Sequence, residues 1–239
     1  MLKLPHPPDR DGAAAAHPRH LVPAAPPRWA PVVGVVLLLA TLVMGLMLRG
    51  GGKPDFQGLD ERLAAGMGGS ARGSALGLAL VLDKIGGPIG VLIPLAMTGC
   101  LSVYGRWRSA LFFFTASVLA NLVVVLGLKE FVGRSRPPHS WVLVNDGSFP
   151  SGQVFMITAL LVAAGVVFLR PRVRLAGWIV AGLVAVLMMW SRVRLQAQWP
   201  SDTVAGAMAG LGSVLVLWRA FGSLLRREAE RLASDRLWE

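Results

Sequence analysis

The chain is short of most things that a water-soluble domain relies on. Only 15% of its 239 residues are charged, where a soluble domain of this size carries roughly 25%. Its single cysteine, Cys100, excludes an intrachain disulfide, and one Cys with four scattered histidines offers no zinc-ligand spacing. Acids are scarce as well: 13 Asp and Glu stand against 24 Lys and Arg, for a net charge of +11. A nucleic-acid binder would gather such charge on one soluble face. Here the cations sit in short tethers between apolar blocks. No Walker sequence, HExxH or dinucleotide fingerprint is present. What the chain does have is 54% hydrophobic residues in uninterrupted runs, the pattern of a polytopic membrane protein.

Uncharged runs fall at 31–48, 85–104, 109–128, 147–169, 175–191 and 203–218. Each is close to the ~20 residues that a helix needs to cross the hydrocarbon core. The expectation is an all-α bundle of six transmembrane helices over residues 31–220, preceded by a disordered cytoplasmic tail, 1–30, rich in Pro, Ala and His. The first run ends in Arg49 and three glycines with no small-x-small cleavage pattern, so it reads as an uncleaved span. A shorter run, 73–82, bounded by Arg72 and by Asp83 and Lys84, reads as an interfacial or re-entrant helix. The stretch 221–239 places Phe221, Leu224, Leu225 and Leu232 at helical spacing among charges. It reads as a cytoplasmic amphipathic helix, with a plain extension of the sixth span as the alternative.

Alternate connections differ in charge: 14 of the 24 Lys and Arg lie in one set, which includes both tails, and 10 in the other. The positive-inside rule puts both termini in the cytoplasm and the loops 129–150 and 191–202 on the outer face. Trp141, Trp190, Trp199 and Trp218 lie near span ends, where an aromatic belt is expected, with Trp199 also a candidate wall of a head-group pocket. The run Phe112 to Phe114 reads as lipid-facing or core. Gly206 and Gly210 form a GxxxG for close packing within the monomer, and Asn121 reads as an interhelical hydrogen bond in the third span.

The outer loops carry the residues with chemical potential. Lys129 ends the third span, Arg136 follows it beside Pro137, and Arg192 and Arg194 close the fifth span with Asp202 beyond. Between them Pro150-Ser151-Gly152 leads into the fourth span. A helix N-terminus with free amides and several cations on one membrane face suits a phosphate group.

Three spaced motifs fall on these residues: Lys129, six residues, Arg136-Pro137; Pro150-Ser151-Gly152-Gln153; and Ser191-Arg192, five residues, Gln198, three residues, Asp202. In order and spacing the chain resembles the type 2 phosphatidic acid phosphatase superfamily of integral membrane lipid phosphatases over roughly residues 55–220. The resemblance implies that Lys129, Arg136, Ser151, Gly152, Ser191 and Arg192 bind phosphate, with no metal or cofactor. It also exposes a departure, because the family carries histidine where this chain has Gln153 and Gln198. In the family the third-motif His attacks phosphorus and is oriented by the Asp at the position of Asp202, and the second-motif His protonates the leaving group.

A carboxamide can do neither task, since its nitrogen lone pair is delocalised and it neither gains nor shuttles a proton near neutral pH. Losing a general acid costs on the order of 10²- to 10⁴-fold, and losing the nucleophile removes the covalent route. Gln can still hydrogen-bond phosphate oxygens, and the cations are intact. The expectation is a protein of the inner membrane that binds a phosphorylated lipid at the outer face with lost or severely impaired turnover. Asp202, with no imidazole to orient, is expected to pair with Arg192 or to accept from the Gln198 amide. His139 is the one histidine near the motifs and the candidate substitute nucleophile in an active enzyme with a rearranged mechanism. An anionic-lipid transporter is the third reading, without an inverted repeat to support it. Phosphatidic acid, phosphatidylglycerol phosphate and an isoprenyl diphosphate are the substrate types implied, and Arg-rich, Ala-rich composition suggests a bacterial source.

Overall fold

The computed structural model describes residues 25–50, 54–68, 73–143, 147–169 and 171–235. Residues 1–24 of the expected tail, with His6, His17 and His20, lie outside them. Every regular element among the described residues is helical: α1 (Ala30–Leu48), α2 (Gln57–Gly68), α3 (Ser74–Gly86), α4 (Pro88–Val103), α5 (Trp107–Val132), α6 (Gly152–Phe168), α7 (Arg174–Arg194) and α8 (Pro200–Asp235). A single 3₁₀ turn, Pro171–Val173, joins α6 to α7. The result is an all-α polytopic membrane bundle. Four helices, α1, α5, α7 and α8, are long and apolar enough to cross a membrane, and the bent pair α3–α4 makes a fifth.

This count falls short of the six spans expected, and α6 explains the difference. At 17 residues it is only ~25 Å long, shorter than a ~30 Å hydrocarbon core. Its place is the bundle interior, where Phe155, Ala159 and Ala163 are fully buried against Phe112, Phe113 and Val214. The segment before it, counted as part of the fourth span from 147, is not helical; Ser148, Phe149, Pro150 and Ser151 are buried in extended chain. Non-helical backbone at such depth is tolerated because protein, not lipid, surrounds it. Phe112 and Phe113 are core residues. Trp218 is buried too and leaves the expected aromatic belt.

Small residues set the helix spacing. A Cβ at Gly206 would lie 2.5 Å from the Ser151 carbonyl oxygen, and one at Gly210 would lie 2.6 Å from that of Phe155. The GxxxG therefore brings α8 against α6 within one chain, as read from the sequence. Gly34 and Gly212 make the same close approach between α1 and α8, each Cβ position 2.8 Å from the other's carbonyl oxygen.

The ends of two helices are capped from a distance. Glu228 of α8 is buried and accepts from the backbone N–H of Arg108 at 2.7 Å and of Ser109 at 3.3 Å, and from the Ser109 hydroxyl. A carboxylate on the first free amides of α5 is where the helix dipole favours it. α8 runs without a break for 36 residues, ~54 Å, so the amphipathic stretch after 220 is a helical extension of the last span and not a separate helix. At the other end of the bundle, Arg194 donates to the Gly68 carbonyl at 2.5 Å and Gln196 to that of Ala64 at 2.8 Å, closing the C-terminus of α2.

The short apolar run 73–82, expected as an interfacial or re-entrant helix, is part of a longer bent pair, which is a broken span or a re-entrant loop. α3 continues through Asp83 and Lys84, breaks at Gly87, and meets the rest of its pair at a bend of 43°. A Cβ at Gly87 would lie 2.8 Å from the Asp83 carbonyl oxygen and 3.0 Å from the Gln153 amide nitrogen. A bare backbone at the break thus allows Gln153 to reach Asp83.

Candidate functional site

The C-terminal ends of α5 and α7, the N-terminal end of α6 and the α3–α4 break converge on a cavity of about 280 Å³. Lys129, Arg136, Gly152, Gln153, Arg192 and Gln198 are all on its wall. Residues from all three sequence motifs, as much as 69 positions apart (129 to 198), are therefore gathered at one place. α6 presents its N-terminus here, with Ser151 as the N-cap accepting from the Val154 N–H at 3.3 Å. That end of a helix favours an anion.

Each cation holds an oxygen of the cavity surround. Lys129 donates to the Gly147 carbonyl at 2.5 Å. Arg136 donates to the same carbonyl at 3.2 Å and to that of Ala197 at 2.5 Å. Arg192, almost fully buried, pairs with the Asp83 carboxylate, which also accepts from the Gln153 amide at 3.2 Å. In that orientation the Gln153 carbonyl oxygen is buried without a donor among the described residues. Gln198 is fixed on both sides: its oxygen accepts from the Ser151 hydroxyl at 2.5 Å and from Arg192 Nε at 3.4 Å, and its amide donates to the Ser148 carbonyl at 3.2 Å.

Four sequence candidates stand off the cavity wall. Ser151 is committed to Gln198 and to the helix cap. Ser191 donates to the Met188 carbonyl of its own helix at 2.8 Å. His139 is exposed, at φ 67°, in the loop after α5. Asp202 is fully buried behind the site, and here the sequence expectation is corrected: it pairs with neither Arg192 nor the Gln198 amide. Its partners are Arg134 at 2.5 Å, the Ser148 hydroxyl and the Trp199 N–H at 3.0 Å. Arg192 is taken by Asp83 instead.

Arg134 is the residue that sequence reasoning missed. Its guanidinium is buried and bridges Asp202 to Asp60 at 2.7 Å, while also donating to Ser201 at 2.8 Å and Gln57 at 2.7 Å. Trp199 packs under it, 5.6 Å from ring centroid to guanidinium carbon, and donates to the Ser135 carbonyl at 2.9 Å. Trp199 thus supports Arg134 and is not part of the cavity wall. The planar five-donor fork of Arg suits such a knot, where Lys would not. Asn121 behaves as read: its amide donates to the Gly152 carbonyl at 2.9 Å, from a π-helical stretch of α5, Asn121–Leu126.

Among the described residues no cluster of three or more His, Cys, Asp or Glu could hold a metal. Cation and carboxamide N–H groups, with a helix N-terminus, around a small cavity are instead a donor set for an oxyanion.

Comparison with known proteins agrees with this geometry. The PAP2 superfamily model matches residues 110–226. A lipid A 1-phosphatase of Rhizobium johnstonii is 32% identical over 133 residues, 50% of this chain and 50% of that one. A second, from Rhizobium etli, is 31% identical over 130 residues, and the chain spans about half the length of both. An undecaprenyl-diphosphatase of Sulfolobus acidocaldarius is 28% identical over 184 residues, 73% of this chain and 84% of that one. In fold the chain is similar to the crystal structure of a transmembrane PAP2-type phosphatidylglycerolphosphate phosphatase from Bacillus subtilis, with a TM-score of 0.66 at 20% identity over 83% of this chain and 98% of that one. Residues 110–226 thus match the PAP2 superfamily, and the chain is a polytopic membrane protein that resembles the PAP2 fold.

Proposed function

We propose that this protein binds the phosphate of a phosphorylated lipid in the cavity between α5, α6 and α7 and does not hydrolyse it at the family's rate. One observation carries the reading: Lys129, Arg136 and Arg192 share a cavity wall with Gln153 and Gln198, at the motif positions where the family has its two histidines. Three cations and a helix N-terminus supply binding. Two carboxamides supply hydrogen bonds but neither a nucleophile nor a proton. His139 offers no replacement, being exposed and away from that wall.

Under this reading α6 completes a six-helix frame in which protein, not lipid, covers the short span. The charge bias places both termini in the cytoplasm and the cavity toward the outer face of a bacterial inner membrane. The relatives named lipid A 1-phosphatase and undecaprenyl-diphosphatase support a lipid-borne phosphate as the ligand. The test is retention of short-chain phosphatidic acid by the purified protein in detergent. Binding that falls by about tenfold in Lys129→Gln, the loss of one charge-assisted hydrogen bond, supports the proposal. Binding that is absent, or indifferent to Lys129→Gln and Arg136→Gln alike, overturns it.

A further inference from the structure

A second cavity lies at the other end of the bundle. It measures about 550 Å³ and opens between the start of α1, the end of α6, the start of α7 and the inner half of α8. Its wall is apolar, with Val166 and Leu215 on it, and among the described residues three indoles, Trp29, Trp178 and Trp218, share it with one cation, Arg174. Gly165 makes the shape possible, because a Cβ there would lie 2.5 Å from the Trp178 ring.

One polar group on this wall is under-used, Arg174, and an indole N–H lies sealed behind it. Trp218 is 9% exposed, yet its indole N–H has no acceptor among the described residues. A buried donor without an acceptor costs about 1–3 kcal/mol, and Trp N–H groups normally find a partner when buried. Arg174 makes one long hydrogen bond, 3.5 Å to the Leu169 carbonyl. An apolar groove in a membrane-spanning bundle, with a cation on its wall, matches a molecule that has acyl chains and an anionic head group. Indoles sit well at the level where the two meet, and basic pockets between transmembrane helices recognise anionic lipid head groups.

We infer that this groove is a binding site for an intact anionic phospholipid of the leaflet opposite the phosphate cavity, with its phosphodiester on Arg174 and an acyl chain along Val166 and Leu215. The lipid is a resident ligand, not a substrate, since none of the motif residues lies near it. The site depends on the membrane-spanning fold and not on what the phosphate cavity does.

The full chain, purified from nanodiscs of mixed phosphatidylglycerol and phosphatidylcholine, tests this by native mass spectrometry of the lipid that it retains. The expected result is preferential retention of phosphatidylglycerol, weakened about tenfold by Arg174→Gln, restored by Arg174→Lys, and unchanged by Lys129→Gln. Equal retention of both lipids overturns the inference by showing a groove without head-group recognition. So does a loss that follows Lys129→Gln, which puts the lipid in the phosphate cavity. Retention of no lipid overturns it too.

Discussion

Replacing Arg134 by Met removes a buried guanidinium of similar length and leaves two carboxylates without a counter-charge. Asp202 is fully buried and the Asp60 side chain is 4% exposed, so water cannot take over from the lost cation. Each acid keeps part of its shell: Asp60 still accepts from the Ser201 N–H at 2.9 Å and hydroxyl at 2.5 Å, and Asp202 from Ser148 and Trp199. Breaking a buried pair by removing one partner costs about 3–5 kcal/mol, a large share of the 5–15 kcal/mol typical of a folded domain. At roughly 2–4 °C per kcal/mol for a chain of this size, the melting temperature should fall by roughly 6–20 °C. Thermal unfolding in detergent, followed by tryptophan fluorescence, measures this. Arg134→Met combined with Asp60→Asn and Asp202→Asn should recover most of the loss, because the penalty lies in uncompensated charge and not in lost packing. An unchanged melting temperature in the single variant, or no recovery in the triple one, would refute the reasoning.

Other substitutions probe the remaining parts of the account. Asp83→Asn removes the anion that competes for Arg192 and Gln153, and should tighten phosphatidic acid binding by about tenfold, as read by equilibrium retention in detergent. Gly206→Ala drives a methyl into the Ser151 carbonyl; it should cost about 1–3 kcal/mol and weaken ligand binding together with thermal stability, because it displaces the N-cap of α6. Glu228→Gln leaves the N-terminus of α5 capped by a neutral group and should lower stability by about 1 kcal/mol without changing phosphatidic acid binding.

Much of this was legible in the sequence because hydrophobic length and motif spacing are local properties. The six uncharged runs all became helical, and the motif residues Lys129, Arg136, Gly152, Gln153, Arg192 and Gln198 came together on one wall. The misreadings share a cause, which is that a charge was judged by its neighbours in the chain. Asp83 and Lys84 looked like the end of an apolar run, yet α3 continues through them because Arg192, 109 positions away, neutralises Asp83. Arg134 drew no reading from its own short loop, because its acidic partners lie 74 and 68 positions away. Asp202 was assigned to Arg192 because the two share a motif; the fold assigns it to Arg134. The short length of α6 was hidden by the buried, uncharged segment 147–151, which continues its hydropathy without its helix.

The central claim is that binding is retained and turnover is removed at two positions. Phosphate release from phosphatidic acid, phosphatidylglycerol phosphate and an isoprenyl diphosphate, measured for the unmodified protein beside the Gln153→His, Gln198→His double variant, tests it most directly. The account predicts that the unmodified protein binds without releasing phosphate and that the double variant releases it. Release by the unmodified protein at a rate comparable to that of the double variant would contradict the account.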